Sequence, residues 1–273
     1  MRSELVQRLL VGVVVAPLAL AAVWIGGRPF TLVVALVSGL GLWEFYGLLR
    51  RHGRRPLNLA GFLASAVLLI GVDRVEEVTW VGGAVTLLLL VGGAEVLARP
   101  QAPGHLEDLG LSILGVLTVT WMASYAIRLR ATPDTGAAWV LLALLPTWAF
   151  DTAAYFSGRV VGRHPFMAHV SPKKTWEGVI GGLLGAGVAA TITGVVSGVL
   201  SVPSGLVLGV LVGMATQMGD VLESLYKRQV GVKDSGHLLP GHGGVLDRVD
   251  GLLFSLMTTY YYGIIIIGLS PAS

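Results

Sequence analysis

With 273 residues, 54% of them hydrophobic and only 13% charged, and a mean hydropathy of +0.76, the chain has roughly half the ~25% charge of an ordinary soluble domain, which excludes that class and indicates a membrane protein. The absence of cysteine rules out disulfides and thiolate metal sites. A net charge of +3 is mild, so the placement of charge matters more than its sum, and no nucleic-acid partner is expected.

A spanning helix needs about 20 mostly apolar residues. In chain order nine stretches are candidates: 9–27, 29–49, 57–72, 79–98, 109–127, 137–157, 177–199, 203–222 and 251–269. The expectation is an all-α, polytopic integral membrane protein with about nine transmembrane helices. Arg2 and Arg8 ahead of the first stretch also fit a signal peptide. Its apolar run is long, however, and the later segments also stay in the membrane, so a span is the expected reading. The third stretch is the shortest. Glycine, at 38 residues, is about twice its usual ~7% share. GGLLGAG (181–187) and GVLVG (209–213) resemble faces on which membrane helices approach closely. Such packing leaves room for a homodimer.

Positive charge orients the spans. An inward N-terminus places Arg2, Arg8, Arg50, Arg51, Arg54, Arg55, Arg99, Arg159, Arg163, Lys173, Lys174, Lys227, Arg228, Lys233 and Arg248 in the cytoplasm, 15 of the 19 Lys and Arg. Only Arg28, Arg74, Arg128 and Arg130 fall outside. Residues 1–136 are apolar helices with short loops. Residues 137–273 hold two long polar loops, near 158–176 and 223–250, within one membrane-embedded unit. RRHGRRP (50–56) reads as a topology anchor beside anionic headgroups.

Four segments carry candidate chemistry. Asp151 lies at the end of a span, with Tyr155 and Arg159 four and eight residues on. An interfacial Asp–Arg pair is the plain reading, but ionisable groups at membrane depth usually mark function. HVSPKKTWEG (169–178) places Lys173 and Lys174 at the surface, with Glu177 at the next helix start. Taken alone it is also an ordinary positive-inside loop. Gln217, Asp220, Ser224 and Lys227 recur at helical spacing, flanked by Glu223, and suit a hydrated hard cation. Interhelical hydrogen bonding is the alternative. In LPGHGGVLDRVD (239–250), Gly241, Gly243 and Gly244 can turn backbone N–H groups toward an anion. Asp247 and Asp250 follow at i and i+3, Arg248 can reach a phosphate, and His242 can donate a hydrogen bond or a proton.

Ser224, Lys227-Arg228, Lys233-Asp234, Pro240, His242-Gly243-Gly244, Asp247-Arg248 and Asp250 follow, in order and spacing, a pattern that resembles the signature of phosphatidate cytidylyltransferases, also called CDP-diacylglycerol synthases. The upstream DTAAYFSGR, SPKKTWEG and QMGDVLES are similar to other blocks of that family. The resemblance is close over about 145–255 and loose over the N-terminal half. Tyr226 departs from the aliphatic residue or Phe that the pattern has there, a difference of packing.

The resemblance implies that CTP and phosphatidate react to CDP-diacylglycerol and pyrophosphate with Mg²⁺, a second, monovalent ion being compatible with it. It implies a catalytic set of Asp220, Asp247, Asp250, Lys227, Lys233 and His242. Metal would be held by Asp220 and Asp247, with Glu223, Asp250 and Asp151 as second choices. Substrate would be held by Lys173, Lys174, Arg228, Ser224, Gly243, Gly244, Arg248 and Asp151. The implied setting is the inner (cytoplasmic) membrane, with the site facing the cytoplasm.

The nearer rivals are a CTP-dependent polyprenol kinase and a CDP-alcohol phosphotransferase. The latter has Asp-Gly followed by Ala-Arg, whereas here Asp250-Gly251 precedes Leu252-Leu253-Phe254. A transporter and a non-catalytic scaffold are the rivals from other classes.

Overall fold

The computed structural model describes residues 16–72, 77–99, 104–236 and 243–269, together with Val14 and Leu238. Arg2, Arg8, Arg74, Gly241 and His242, and the start of the 9–27 stretch, lie outside the described residues.

Among the described residues there is no strand. The helices are α1 (Ala16–Ile25), α2 (Gly27–Arg51), α3 (Asn58–Gly71), α4 (Glu77–Leu97), α5 (His105–Ala131), α6 (Gly136–Val161), α7 (Trp176–Val196), α8 (Val202–Val230) and α9 (Leu246–Ile267). The last turn of α9, Gly263–Ile267, and a segment of α5, Val116–Trp121, are π-helical. Seven of these helices are long and apolar enough to cross a membrane. The protein is therefore an all-α, multi-pass membrane protein. Expected as a span over 57–72, α3 covers 14 residues. At 1.5 Å per residue that is about 21 Å, short of a ~30 Å hydrocarbon core. In α1, ten residues are described.

Two compact units divide the described residues. The first comprises those through Arg128 and Gln229–Arg248; the second comprises Leu129–Arg228 and those from Val249.

In the first unit, Tyr46 of α2 is fully buried, its hydroxyl donating to the Ser112 carbonyl of α5 at 3.0 Å. Thr120, inside the π-helical segment, lies 3.1 Å from Ser38 Oγ and 2.8 Å from Ser65 Oγ, tying α2, α3 and α5. A side chain bound across helices is one way a membrane bundle is held without a hydrophobic driving force between helices. The basic 50–56 segment does more than mark topology. The Arg55 N–H donates to Asp108 at 3.1 Å, Arg99 donates to the Arg55 and Pro56 carbonyls, and Arg54 pairs with Glu107.

The second unit is a sequence of antiparallel crossings. Gly158 of α6 meets Gly178 of α7, and Gly185 meets Ala153 one to two turns further. Thr191 and Ala186 of α7 then meet Gly205 and Gly209 of α8. Gly219 of α8 lies against the Asp250 backbone of α9, and the Tyr262 hydroxyl donates to the Ser204 carbonyl at 3.0 Å. With each neighbour reversed, α6 and α8 run parallel. Their C-terminal ends, the start of α7 and the start of α9 therefore share one end of the unit. The glycine faces seen in GGLLGAG and GVLVG are these crossings. A Cβ on Gly209 would stand 2.5 Å from the Ala186 oxygen and the Gly187 Cα, both backbone atoms that cannot rotate away. Gly209→Val is expected to destabilise the fold by about 1–3 kcal/mol or more, read as a lowered thermal midpoint in detergent; an unchanged midpoint would refute the crossing.

Candidate functional site

Between α6 and α7 the chain forms a tight hairpin. Thr175 caps α7, its hydroxyl accepting from the Gly178 N–H at 3.2 Å. Glu177, in the first turn, accepts from the backbone N–H groups of Arg163 (3.1 Å) and His164 (3.3 Å) and lies 2.6 Å from His164 Nδ1. The Phe166 N–H donates to the Lys174 carbonyl at 2.8 Å, and the Trp176 N–H to the His164 carbonyl at 2.9 Å. The rings of Phe166 and Trp176 meet edge to face at 4.8 Å. The Ser171-Pro172 turn closes with the Lys174 N–H on the Ser171 carbonyl at 3.2 Å. This braced hairpin presents Lys173 and Lys174.

Lys174 Nζ reaches Asp220 of α8, 2.5 Å from its Oδ2. The helix continues unbroken to Val230, so the 217–227 spacing forms one helical face. Ser224 Oγ donates to Asp220 at 3.4 Å, and Lys227 Nζ donates to the buried Glu223 at 2.9 Å. The Arg228 Nε donates to the Val170 carbonyl at 3.2 Å, linking α8 to the hairpin. Asp250 lies beside them: its backbone packs on Gly219, and its carboxyl contacts Glu223 and faces Asp220 and Lys227. Asp151 stands exposed in the second half of α6, which continues ten residues beyond it, and Arg159 donates to the Tyr155 hydroxyl at 2.8 Å. Lys174, Asp220, Glu223, Ser224, Lys227 and Asp250 are thus brought together in the second unit. No group of three or more carboxylate or imidazole side chains poised as a metal cage occurs among the described residues.

The first unit holds the Gly-rich loop. Gly243 adopts φ +79°, and a Cβ there would lie 2.6 Å from Asp247 Oδ2, so only glycine suits the position. Asp247, at the start of α9, accepts from the Gly244 N–H at 2.7 Å and from the Ser235 N–H at 3.1 and 3.0 Å. Its carboxylate is therefore oriented by the backbone of the loop it was expected to serve. Lys233 and Arg248 are exposed.

Sequence reasoning passed over Glu44. It lies in α2, 2% exposed. It accepts from Ser235 Oγ (3.1 Å) and from the Leu246 N–H (2.8 Å), the first helical residue of α9. Gly236 and Gly244 lie directly against its carboxylate. Ser235 therefore links Glu44 to Asp247. The available signal was an acid inside an apolar span.

A model of the cytidylyltransferase family matches residues 6–266. The chain is 34% identical over 267 residues to a phosphatidate cytidylyltransferase of Brucella suis, covering 96% of this chain and 94% of that protein. It is 38% identical over 257 residues to one from Pseudomonas aeruginosa, covering 90% and 92%. With one from Mycobacterium bovis it shares 32% over 225 residues, covering 76% and 73%.

Proposed function

From its membership in the cytidylyltransferase family, to which the chain belongs, we propose that this protein condenses CTP with phosphatidate to give CDP-diacylglycerol and pyrophosphate. The observation that carries this reading is the meeting of Lys174 with Asp220 beside Asp250, Glu223 and Lys227. Cations and carboxylates at one end of a membrane unit suit the transfer of a nucleotidyl group to a lipid phosphate.

A phosphate oxygen of phosphatidate forms a bond to the α-phosphorus of CTP. The bond from that phosphorus to the bridging oxygen of the β-phosphate breaks, and pyrophosphate leaves with the electron pair. No protein nucleophile is required, because the lipid supplies one. The obstacle is that both reactants are anions. Lys173 and Lys174 on the braced hairpin, with Lys227 and Arg228 on α8, neutralise that charge and hold the reacting groups in line.

Asp220 and Asp250 offer hard oxygen donors, and the Asp220 side chain is 40% exposed, which suits Mg²⁺: it takes one or two carboxylates and fills its remaining positions with water and phosphate. When bound, Mg²⁺ supplies charge neutralisation at the phosphates. The bias of Lys and Arg supports an orientation with this end toward the cytoplasm.

The test is pyrophosphate release by the purified protein in detergent, omitting CTP, phosphatidate or Mg²⁺ in turn. Release that needs all three, with CDP-diacylglycerol as the lipid product, is the expected result. No release from folded protein overturns the proposal and directs the assay to polyprenol as acceptor. Lys174→Met keeps the length of the side chain and removes its charge. Hydrogen bonds to charged groups contribute about 1.5–3 kcal/mol, so kcat/KM is expected to fall about 10- to 100-fold; an unchanged value would remove Lys174 from the site.

A further inference from the structure

We propose that Thr147, Thr216 and Ser255 are positioning residues that set the geometry of the carboxylates in the proposed cytidylyl-transfer site; this rests on that reading of the site. All three hydroxyls are buried in the second unit, one each on α6, α8 and α9. Thr147 Oγ1 lies 2.8 Å from Ser255 Oγ and 3.3 Å from Thr216 Oγ1, and Thr216 Oγ1 lies 2.9 Å from Ser255 Oγ. Each is also 2.8–2.9 Å from the carbonyl four residues before it.

Three hydroxyls have three protons, and six short contacts surround them. Bonds to the carbonyls stay within one helix, whereas each proton given to a neighbouring hydroxyl, as Thr147 gives its own to Ser255, joins two helices. The knot therefore fixes where three helices meet, to within hydrogen-bond tolerance. Apolar packing of Val or Ala at these positions would not impose that constraint.

Its location gives the knot a consequence for chemistry. Asp151 follows Thr147 by one turn on the same face of α6, and Asp220 follows Thr216 by one turn on the same face of α8. Because α6 and α8 are parallel, both carboxylates lie on the same side of the knot. On α9, Gly251 packs against Thr216, and the neighbouring Asp250 against Gly219. A shift of any helix at the knot moves a carboxylate one turn away by a comparable amount. Misplacement of reacting groups by ~1 Å can cost about 10²-fold in rate.

The test uses the full-length protein in detergent and two readouts. Thr216→Val keeps the shape and removes the hydroxyl. It is expected to lower kcat about tenfold or more, raise the Mg²⁺ concentration for half-maximal rate, and leave KM for CTP within about twofold. Thr216→Ser, which restores the hydroxyl, is expected to recover most of kcat. Ser255→Ala provides the same test on α9 if Thr216→Val fails to fold. Unchanged kcat and Mg²⁺ dependence in folded Thr216→Val or Ser255→Ala overturn the proposal, as does a loss that Thr216→Ser does not recover. The second readout needs no turnover. The chain has no cysteine, so Asp220→Cys with Asp250→Cys can be joined by a short bifunctional thiol reagent. Cross-linking several-fold slower with Thr216→Val added is expected; an equal rate overturns the positioning role. An inactive wild type with a knot-dependent cross-linking rate would sink the functional reading and leave the positioning of the carboxylates standing.

Discussion

Asp220→Ala is expected to abolish CDP-diacylglycerol formation at saturating CTP while the helices remain folded. Several contacts meet at Asp220: it pairs with Lys174 at 2.5 Å, accepts from Ser224 and faces Asp250. Its side chain is partly exposed on a helix that Gly219 holds against α9. The alanine leaves Asp250 without the carboxylate that would share Mg²⁺ with it in the proposed reaction, and removes the group that pairs with Lys174. Loss of one preorganised electrostatic contact costs about 10²–10³-fold in kcat, and a loss at or beyond that range is expected here. Stability should change little. Exposed ion pairs contribute about 0–1 kcal/mol, and the substitution also relieves repulsion from Asp250. The measurements are product formation with varied Mg²⁺ and thermal unfolding of the same preparation. Retained turnover would remove Asp220 from the site.

Glu44→Ala is expected to loosen the loop from Ser235 to Leu246 and to lower both stability and activity. The substitution leaves the Ser235 hydroxyl and the Leu246 N–H without their acceptor. Each such buried group costs about 1–3 kcal/mol, so the combined effect is about 2–6 kcal/mol. Ser235 also donates its N–H to Asp247, so disorder at Ser235 reaches that carboxylate. Glu44→Gln keeps an oxygen acceptor and is expected to be the milder variant. Hydrogen exchange is the direct measurement: amides from Ser235 to Leu246 should exchange faster in Glu44→Ala and near the wild-type rate in Glu44→Gln. Wild-type exchange in the alanine variant would show that Glu44 does not hold the loop.

The residues legible in the sequence were those whose signal is local. Hydropathy over 20 residues located the spans, and helical spacing placed Asp220, Ser224 and Lys227 on one face. The Ser171-Pro172 turn, the α7 start at Glu177 and the glycine crossings were also readable nearby in the chain. Less legible was anything that depends on a distant partner. Glu44 meets Ser235 across 191 positions and Leu246 across 202, and no periodicity links residues so far apart. Thr147, Thr216 and Ser255 read as ordinary small polar residues of membrane helices, because a hydroxyl declares its role only through what it meets. The shortness of α3 was legible as well: 57–72 is the shortest of the nine apolar stretches, and the helix covers 14 of its residues.

By itself the sequence determined that this chain is helical, crosses the membrane several times, and gathers its charge into two loops with a nucleotidyl-transfer signature. Low charge leaves few alternatives to burial in lipid, and lipid requires every backbone polar group to be satisfied within a helix or a closed barrel. Tertiary structure alone decided that Lys174 meets Asp220, that Asp250 joins them, that three hydroxyls set the meeting of α6, α8 and α9, and that Glu44 anchors the Gly-rich loop. Each of these depends on which helix faces crossed and how closely. The spacing of residues along the chain leaves that open, and the packing of glycines against backbone settled it.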